Sequence, residues 1–248
     1  MRLEQRQDWV APLPKRALGE EVLIVLSLSL LASAVYSILT LFEAPISGVR
    51  VASVSQGTDV LRQFLGLAFG LAPVWLVTHL VRRSGEGVGS IGLRFDRRSD
   101  VRSGLVLFAI VAVGGILVYL AAVALHVNRF VIPVPPLGHW WTYPVLGSRA
   151  LEAGLLEEIV VVGYLVTRLR QIGVSEVAAI GASALLRGSY HLYQGWGGFL
   201  GNVAMGVLFA FVFSRTRRTW PLVIAHTLLD IAAGVGFIVF RPHLPGFG

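Results

Sequence analysis

Seven long apolar runs, separated by short polar and mostly basic connectors, set the pattern of the chain. They cover about residues 20–42, 61–81, 103–126, 145–167, 174–192, 198–214 and 220–240. Each is close to the roughly 20 residues an α-helix needs to cross a bilayer. The runs are continuous rather than alternating, so they predict helices and not half-buried strands. The expected fold is all-α: a polytopic transmembrane helix bundle of about seven spans. A re-entrant or additional piece around Gly195 to Gly201 would make eight. No soluble domain, low-complexity stretch or internal repeat interrupts the pattern, so residues 1–248 read as one integral-membrane domain. Pro73 predicts a kink in the second run, tolerated where neighbouring helices satisfy the freed carbonyl. Gly66-x-x-x-Gly70 and Gly197-x-x-x-Gly201 would permit close helix approach. The run after the polar N-terminus is too long for the apolar core of a signal peptide, and so predicts a retained first span.

Composition agrees with the pattern. Hydrophobic residues make up 55% of the chain and charged residues only 14%, against about a quarter charged in soluble domains. Mean hydropathy is +0.72. Cysteine is absent, which excludes disulfides and thiolate chemistry. The net charge of +7 does not point to nucleic acid, because the basic residues gather at the ends of apolar runs. Fifteen of the 21 Lys and Arg residues fall on one side of a seven-span arrangement: before span one, after span two, after span four and after span six. The positive-inside rule then places the N-terminus in the cytoplasm and the C-terminus outside. Trp140, Trp141 and Tyr143 would lie at the outer boundary and Trp220 at the inner one. The arginine-rich, lysine-poor composition fits a bacterial inner membrane.

Several polar groups are out of place in lipid. Glu157 and Glu158 are adjacent within Leu155-Leu156-Glu157-Glu158-Ile159-Val160, and two neighbouring carboxylates in hydrocarbon are costly without a use. At about 100° per residue both can face the bundle interior. They serve either as catalytic carboxylates or as structural partners of a buried cation. His226 and Asp230, four apart, share one face of the last span. Arg187 and His191 repeat that spacing on the fifth, where Arg187 needs an anionic partner: Glu157, Glu158 or Asp230. His79, His126, His139 and His243 lie near segment ends or in loops and read as solvated. Glu20, Glu21 and Glu43 sit at the edges of span one and call for no special role. The chain has no His-Glu-x-x-His, nucleophile elbow, phosphate loop or dinucleotide fingerprint. Ser183 and Ser189 lie near His191, but neither is marked as a nucleophile.

In order and spacing these residues resemble the CPBP family, the CAAX-protease and bacteriocin-processing intramembrane endopeptidases also called Abi or Rce1-like. That family carries Glu-Glu-x-x-x-Arg, then Phe-x-x-x-His, then His-x-x-x-Asn/Asp/Ser on separate helices. Glu157-Glu158, His191 and His226-x-x-x-Asp230 match, and Gly92-Leu93-Arg94 before a span is similar to a recurrent feature. The resemblance covers roughly the C-terminal half, a catalytic core of about residues 145–240. Two positions depart together: Val162 stands at the family's arginine and Arg187 at its phenylalanine. One guanidinium has in effect moved from span four to span five, and Arg187 is expected to pair with Glu158.

The resemblance implies hydrolysis of a peptide bond in a membrane-associated peptide or protein: CAAX-like, prenylated, or of bacteriocin or signal type. In one assignment Glu157 activates water, His191 helps hold it, and His226 with Asp230 stabilises the oxyanion. In the other, His191, His226 and Glu157 ligate a Zn²⁺ that acidifies the water. A non-proteolytic role, as an ion- or proton-coupled transporter or a degenerate scaffold or immunity protein, uses the same residue types. Depth poses a difficulty, because His191, Glu157 and His226 stand at different distances from the ends of their spans.

Overall fold

The computed structural model describes residues 13–39, 56–125 and 138–240; His126, His243 and Glu43 lie outside them. All regular elements among the described residues are helical. They are α1 (Lys15–Ser27), α2 (Leu30–Leu39), α3 (Gln56–Gly70), α4 (Ala72–Arg83), α5 (Arg97–Ala124), α6 (Thr142–Leu156), α7 (Leu165–Ile172), α8 (Glu176–Tyr190), α9 (Trp196–Thr216) and α10 (Trp220–Phe240). A π-helical segment, Glu157–Tyr164, joins α6 to α7.

By length and apolar character, four stretches among the described residues can cross a membrane: Leu61–Arg83, Arg97–Leu117, Trp196–Thr216 and Trp220–Phe240. The α1–α2 pair makes a fifth if its two halves, bent by 56°, count as one span. The expectation of about seven exceeds this number. The first run is not one continuous helix but breaks at Leu28-Ser29. The fifth is only 15 residues long as α8, and the fourth carries Arg149, Glu152, Glu157 and Glu158 within it. The second run breaks at Leu71, two residues before Pro73, as that proline led one to expect.

The π segment is the centre of the packing. All eight of its residues are buried. Val160, Val161 and Tyr164 enter a cluster with Val25 of α1 and Val77 and Val81 of α4. Val162 enters a second cluster with Leu107 of α5, Phe209 and Phe213 of α9 and Leu222 of α10. In lipid, helix association depends on close packing and polar contacts rather than on water exclusion, so small residues at crossings matter. A Cβ on Gly188 of α8 would meet Phe199 of α9 at 2.9 Å, and one on Gly206 of α9 would meet Ala184 of α8 at 2.8 Å. These two glycines set the α8–α9 contact. Gly154 does the same for α6 against α10, its added Cβ lying 2.7 Å from Thr227 Oγ1.

The polar ends of several helices meet at one side. In the connector between α4 and α5, Gly92 adopts φ 81°, which favours glycine. Its carbonyl accepts from Thr219 N at 3.1 Å, while Thr219 Oγ1 donates to the Ile91 carbonyl at 2.7 Å. Arg217 reaches the Ser90 carbonyl at 2.7 Å, and Arg218 pairs with Asp100 at 2.6 Å. Arg168, fully buried, donates to Glu21 of α1 at 3.0 Å and bonds Glu86 of the connector. Tyr164 O–H donates to the same Glu21 at 2.8 Å. Glu21 therefore has a definite structural part, which its place at the edge of a span did not disclose. Near the start of α6, Trp140 and Tyr143 are exposed. Trp141 departs from the interfacial expectation: it is buried and stacks on His139 at 4.7 Å.

Candidate active site

Side chains from the π segment, α8 and α10 converge in the bundle. Glu157 Oε2 accepts from Tyr190 O–H at 2.7 Å, lies 3.4 Å from Arg187 Nη2 and 3.7 Å from His191 Nε2. Glu158 Oε1 accepts from Arg187 Nη2 and stands 2.7 Å from His226 Nδ1. Across the imidazole, His226 Nε2 faces Asp230 Oδ2 at 3.6 Å. The five acid and histidine residues singled out from the sequence thus form one chain of contacts through Arg187, Glu158 and His226.

The glutamates differ in access. Glu158 is fully buried, whereas Glu157 keeps 8% of its surface. Beside Glu157, the His191 side chain is 16% exposed; Asp230 is 41% exposed. The site therefore grades from a sealed ion pair to an open edge. Arg187 lies over the Phe209 ring at 5.6 Å, a cation–π contact. His226 Nδ1 and Glu158 Oε1 share a buried hydrogen bond. That bond fixes the ring and turns Nε2 toward Asp230 and the open edge.

Local structure explains the convergence. The π segment places both glutamates inward at the junction of the two core clusters, and such segments recur at functional sites. His191 is not inside α8: it caps the helix, and a 3-10 turn (Leu192–Gln194) and Gly195 at φ 90° lead into α9. Gln194 Nε2 stands 3.2 Å from His191 Nδ1 and holds the ring from behind.

The depths also agree, because the helices start at different heights. At no more than about 1.5 Å per residue, less through the π segment, Glu157 stands at most roughly 16 Å above Arg168. The end of α7 is four residues past Arg168, so α8 starts about 6 Å lower and needs its full length of about 22 Å to reach the same level. Thr219, just before α10, lies beside Gly163, about 7 Å above Arg168, so His226 needs only two further turns.

Two groups went unnoticed in the sequence. Tyr190 bonds the candidate base, yet tyrosine at the end of an apolar run reads as an interfacial anchor. Its position next to His191 was the available signal. Arg149 and Glu152 of α6 pair at 2.8 Å, and Arg149 also donates to Gln63 of α3 at 3.1 Å. Both charges stand in an apolar run and could have been found as the glutamate pair was. Ser183 and Ser189 donate to the carbonyls of Val161 and Leu185 at 2.8 and 2.7 Å, which leaves neither hydroxyl disposed as a nucleophile. Among the described residues no group of three or more His, Asp or Glu side chains is arranged to hold a metal ion. Glu157 Oε2 already accepts from Tyr190 and borders the Arg187 guanidinium at 3.4 Å, and His226 Nδ1 is taken up by Glu158. His191, His226 and Glu157 thus do not fit a common ligand set as they stand.

These features define a helical membrane protein with an acid–histidine site enclosed by three helices. Residues 139–232, which span α6 to most of α10 and include every residue of that site, match the family model described as Type II CAAX prenyl endopeptidase Rce1-like, of the CPBP family. No curated protein and no solved structure matches the chain.

Proposed function

We propose that the chain is an intramembrane endopeptidase that hydrolyses a peptide bond of a membrane-associated substrate, CAAX-like or otherwise lipid-anchored, with water activated by Glu157. The observation that carries this reading is the pairing of a partly accessible Glu157 with His191 at 3.7 Å beside a sealed Glu158–Arg187–His226 assembly. A water hydrogen-bonded to both Glu157 Oε2 and His191 Nε2, at about 2.8 Å from each, spans that gap. Glu157 takes its proton as the water oxygen attacks the scissile carbonyl carbon. The resulting oxyanion is met by the Nε2–H of a doubly protonated His226, oriented by Glu158, in a water-poor setting where such a donor counts most. Collapse breaks the C–N bond, and Glu157 returns the proton to the leaving amine. Asp230, beside His226 Nε2, balances the imidazolium charge and borders the substrate edge. Tyr190 and Arg187 hold the carboxylates in place.

The family match supports the reaction class, and the apolar helices support an integral-membrane setting. The arginine clustering supports a cytoplasmic N-terminus in a bacterial inner membrane. The test is cleavage of a panel of prenylated and membrane-anchored peptides, followed by mass spectrometry, with the protein reconstituted in liposomes. Glu157→Gln should lower the rate roughly 10²–10⁴-fold, the usual contribution of a general base. Equal cleavage by wild type and variant ends the proposal. In the same assay, activity should persist in chelator with no stoichiometric metal in the purified protein. Loss on chelation with recovery on added zinc would transfer water activation to a metal.

A further inference from the structure

Three arginines at the start of α5, Arg97, Arg98 and Arg102, form no ion pair with a carboxylate among the described residues. The nearby acids are already engaged. Asp96 Oδ1 accepts from Ser99 N at 2.9 Å, capping the helix, and the buried Asp100 is held by Arg218 through two bonds at 2.6 and 2.8 Å. Arg98 and Arg102 are four apart and share a helix face. They border a groove between α5, α9 and the start of α10, walled deeper along by Val106, Leu107 and Val212. A hollow on the adjoining face of α5 adds Arg97 and Leu105 to the same arginines. Leu105 and Val106 are half exposed, at 50% and 53%. The polar end of the groove is basic on balance, with Arg98, Arg102 and Arg218 against Asp96, and its apolar walls run into the membrane-crossing stretch Arg97–Leu117.

We propose that this groove binds an anionic phospholipid, its phosphate held by Arg98 and Arg102 and an acyl chain laid along Val106 and Val212. Planar guanidinium groups suit a phosphate's paired oxygens. Charge complementarity selects an anionic headgroup, and the apolar walls select its attached chain. A free phosphate would engage the arginines alone and leave the walls uncovered. The site is separate from the acid–histidine cluster and stands whether or not the protein is a protease.

The experiment uses the full-length protein in nanodiscs of phosphatidylcholine with increasing phosphatidylglycerol. Bound lipid is read by native mass spectrometry and stability by thermal unfolding. Wild type should retain phosphatidylglycerol in preference to phosphatidylcholine and unfold at higher temperature as its fraction rises. Arg98→Gln/Arg102→Gln should weaken that retention about 30-fold, which is about 2 kcal/mol at about 1 kcal/mol per arginine. Arg94→Gln, outside the groove, should retain it. Equal retention of both lipids by wild type, or wild-type retention by the double variant, overturns the proposal. So does an equal stabilisation of wild type by inorganic phosphate in phosphatidylcholine discs, which would make the site one for a free anion. If the double variant fails to fold, Val106→Glu/Val212→Glu tests the apolar wall, and unchanged phosphatidylglycerol retention by it overturns the proposal equally.

Discussion

Arg187 is the residue on which the enclosed half of the site depends. It is fully buried, bonds Glu158, borders Glu157 and lies over Phe209. Removing one partner of a buried charge pair leaves the other uncompensated, at a cost of about 3–5 kcal/mol. Arg187→Phe should therefore destabilise the protein by that order and abolish cleavage. Val162, wholly buried, belongs to the same cluster as Phe209 and stands four residues after Glu158 in the π segment, so a guanidinium from position 162 would approach the ring and Glu158 from Glu158's own segment rather than from α8. Adding Val162→Arg to Arg187→Phe should recover stability and part of the activity. Thermal unfolding and peptide cleavage of the single and double variants check this, and a double variant no better than the single one removes the idea of a relocated arginine. The residues of this site were legible because carboxylates, imidazoles and a guanidinium in apolar runs have few neutral explanations. Tyr190 and Gln194 were not, since their roles exist only as hydrogen-bond geometry. Glu21 and Arg168 were read as span edges because sequence gives no measure of how deeply an edge is covered.

At the level of elements, hydrophobic runs located the helices, and Pro73 marked one interruption, but the π segment left no trace in the pattern. A π segment leaves the apolar pattern of residues 145–167 unchanged, yet it lets Glu157–Tyr164 serve two clusters at once. The break after α8, by contrast, falls at Leu192–Gln194 and Gly195, in the gap between the fifth and sixth apolar runs, and is legible in the sequence. The staggered starts of α8 and α10, which bring three depths together, depend on docking of the α4–α5 connector against Thr219 and Gly163. That connector has a titratable clasp. Burial pushes the Glu86 carboxyl up, but hydrogen bonds from Arg168 and Gln171 and the Arg168 charge outweigh it and hold the group below its ordinary 4.5. A depressed folded-state value means the stabilisation is complete above about pH 4.5 and is lost as pH falls through the folded value. Wild type should lose thermal stability faster than Glu86→Gln on acidification below pH 5. Parallel decline of the two would show that the clasp does not titrate with unfolding.

For the whole molecule, the sidedness of the chain follows from contacts between distant connectors. Glu86 meets Arg168, Ser90 meets Arg217, and Asp100 meets Arg218, so the ends of α4, α7 and α9 and the starts of α5 and α10 lie together. Trp140, before α6, belongs to the opposite end if α5 and the α6–α7 helix each cross. This arrangement is also what the clustering of arginines implies, although length and composition alone mark only four or five crossing stretches among the described residues. The protein contains no cysteine, so single introduced thiols report position without a background. Gly87→Cys is suitable because its added Cβ meets nothing within 4 Å, while Arg215→Cys and Trp140→Cys replace exposed side chains. With a membrane-impermeant maleimide on intact bacterial cells expressing each variant, Trp140→Cys should label. Gly87→Cys and Arg215→Cys should label only after the membrane is opened, as basic ends are retained on the cytoplasmic side. The reverse pattern would keep the bundle and invert its orientation. Labelling of all three from one side would mean that α5 and the α6–α7 helix do not both cross. The acid–histidine site would then have to take its substrate from within one leaflet.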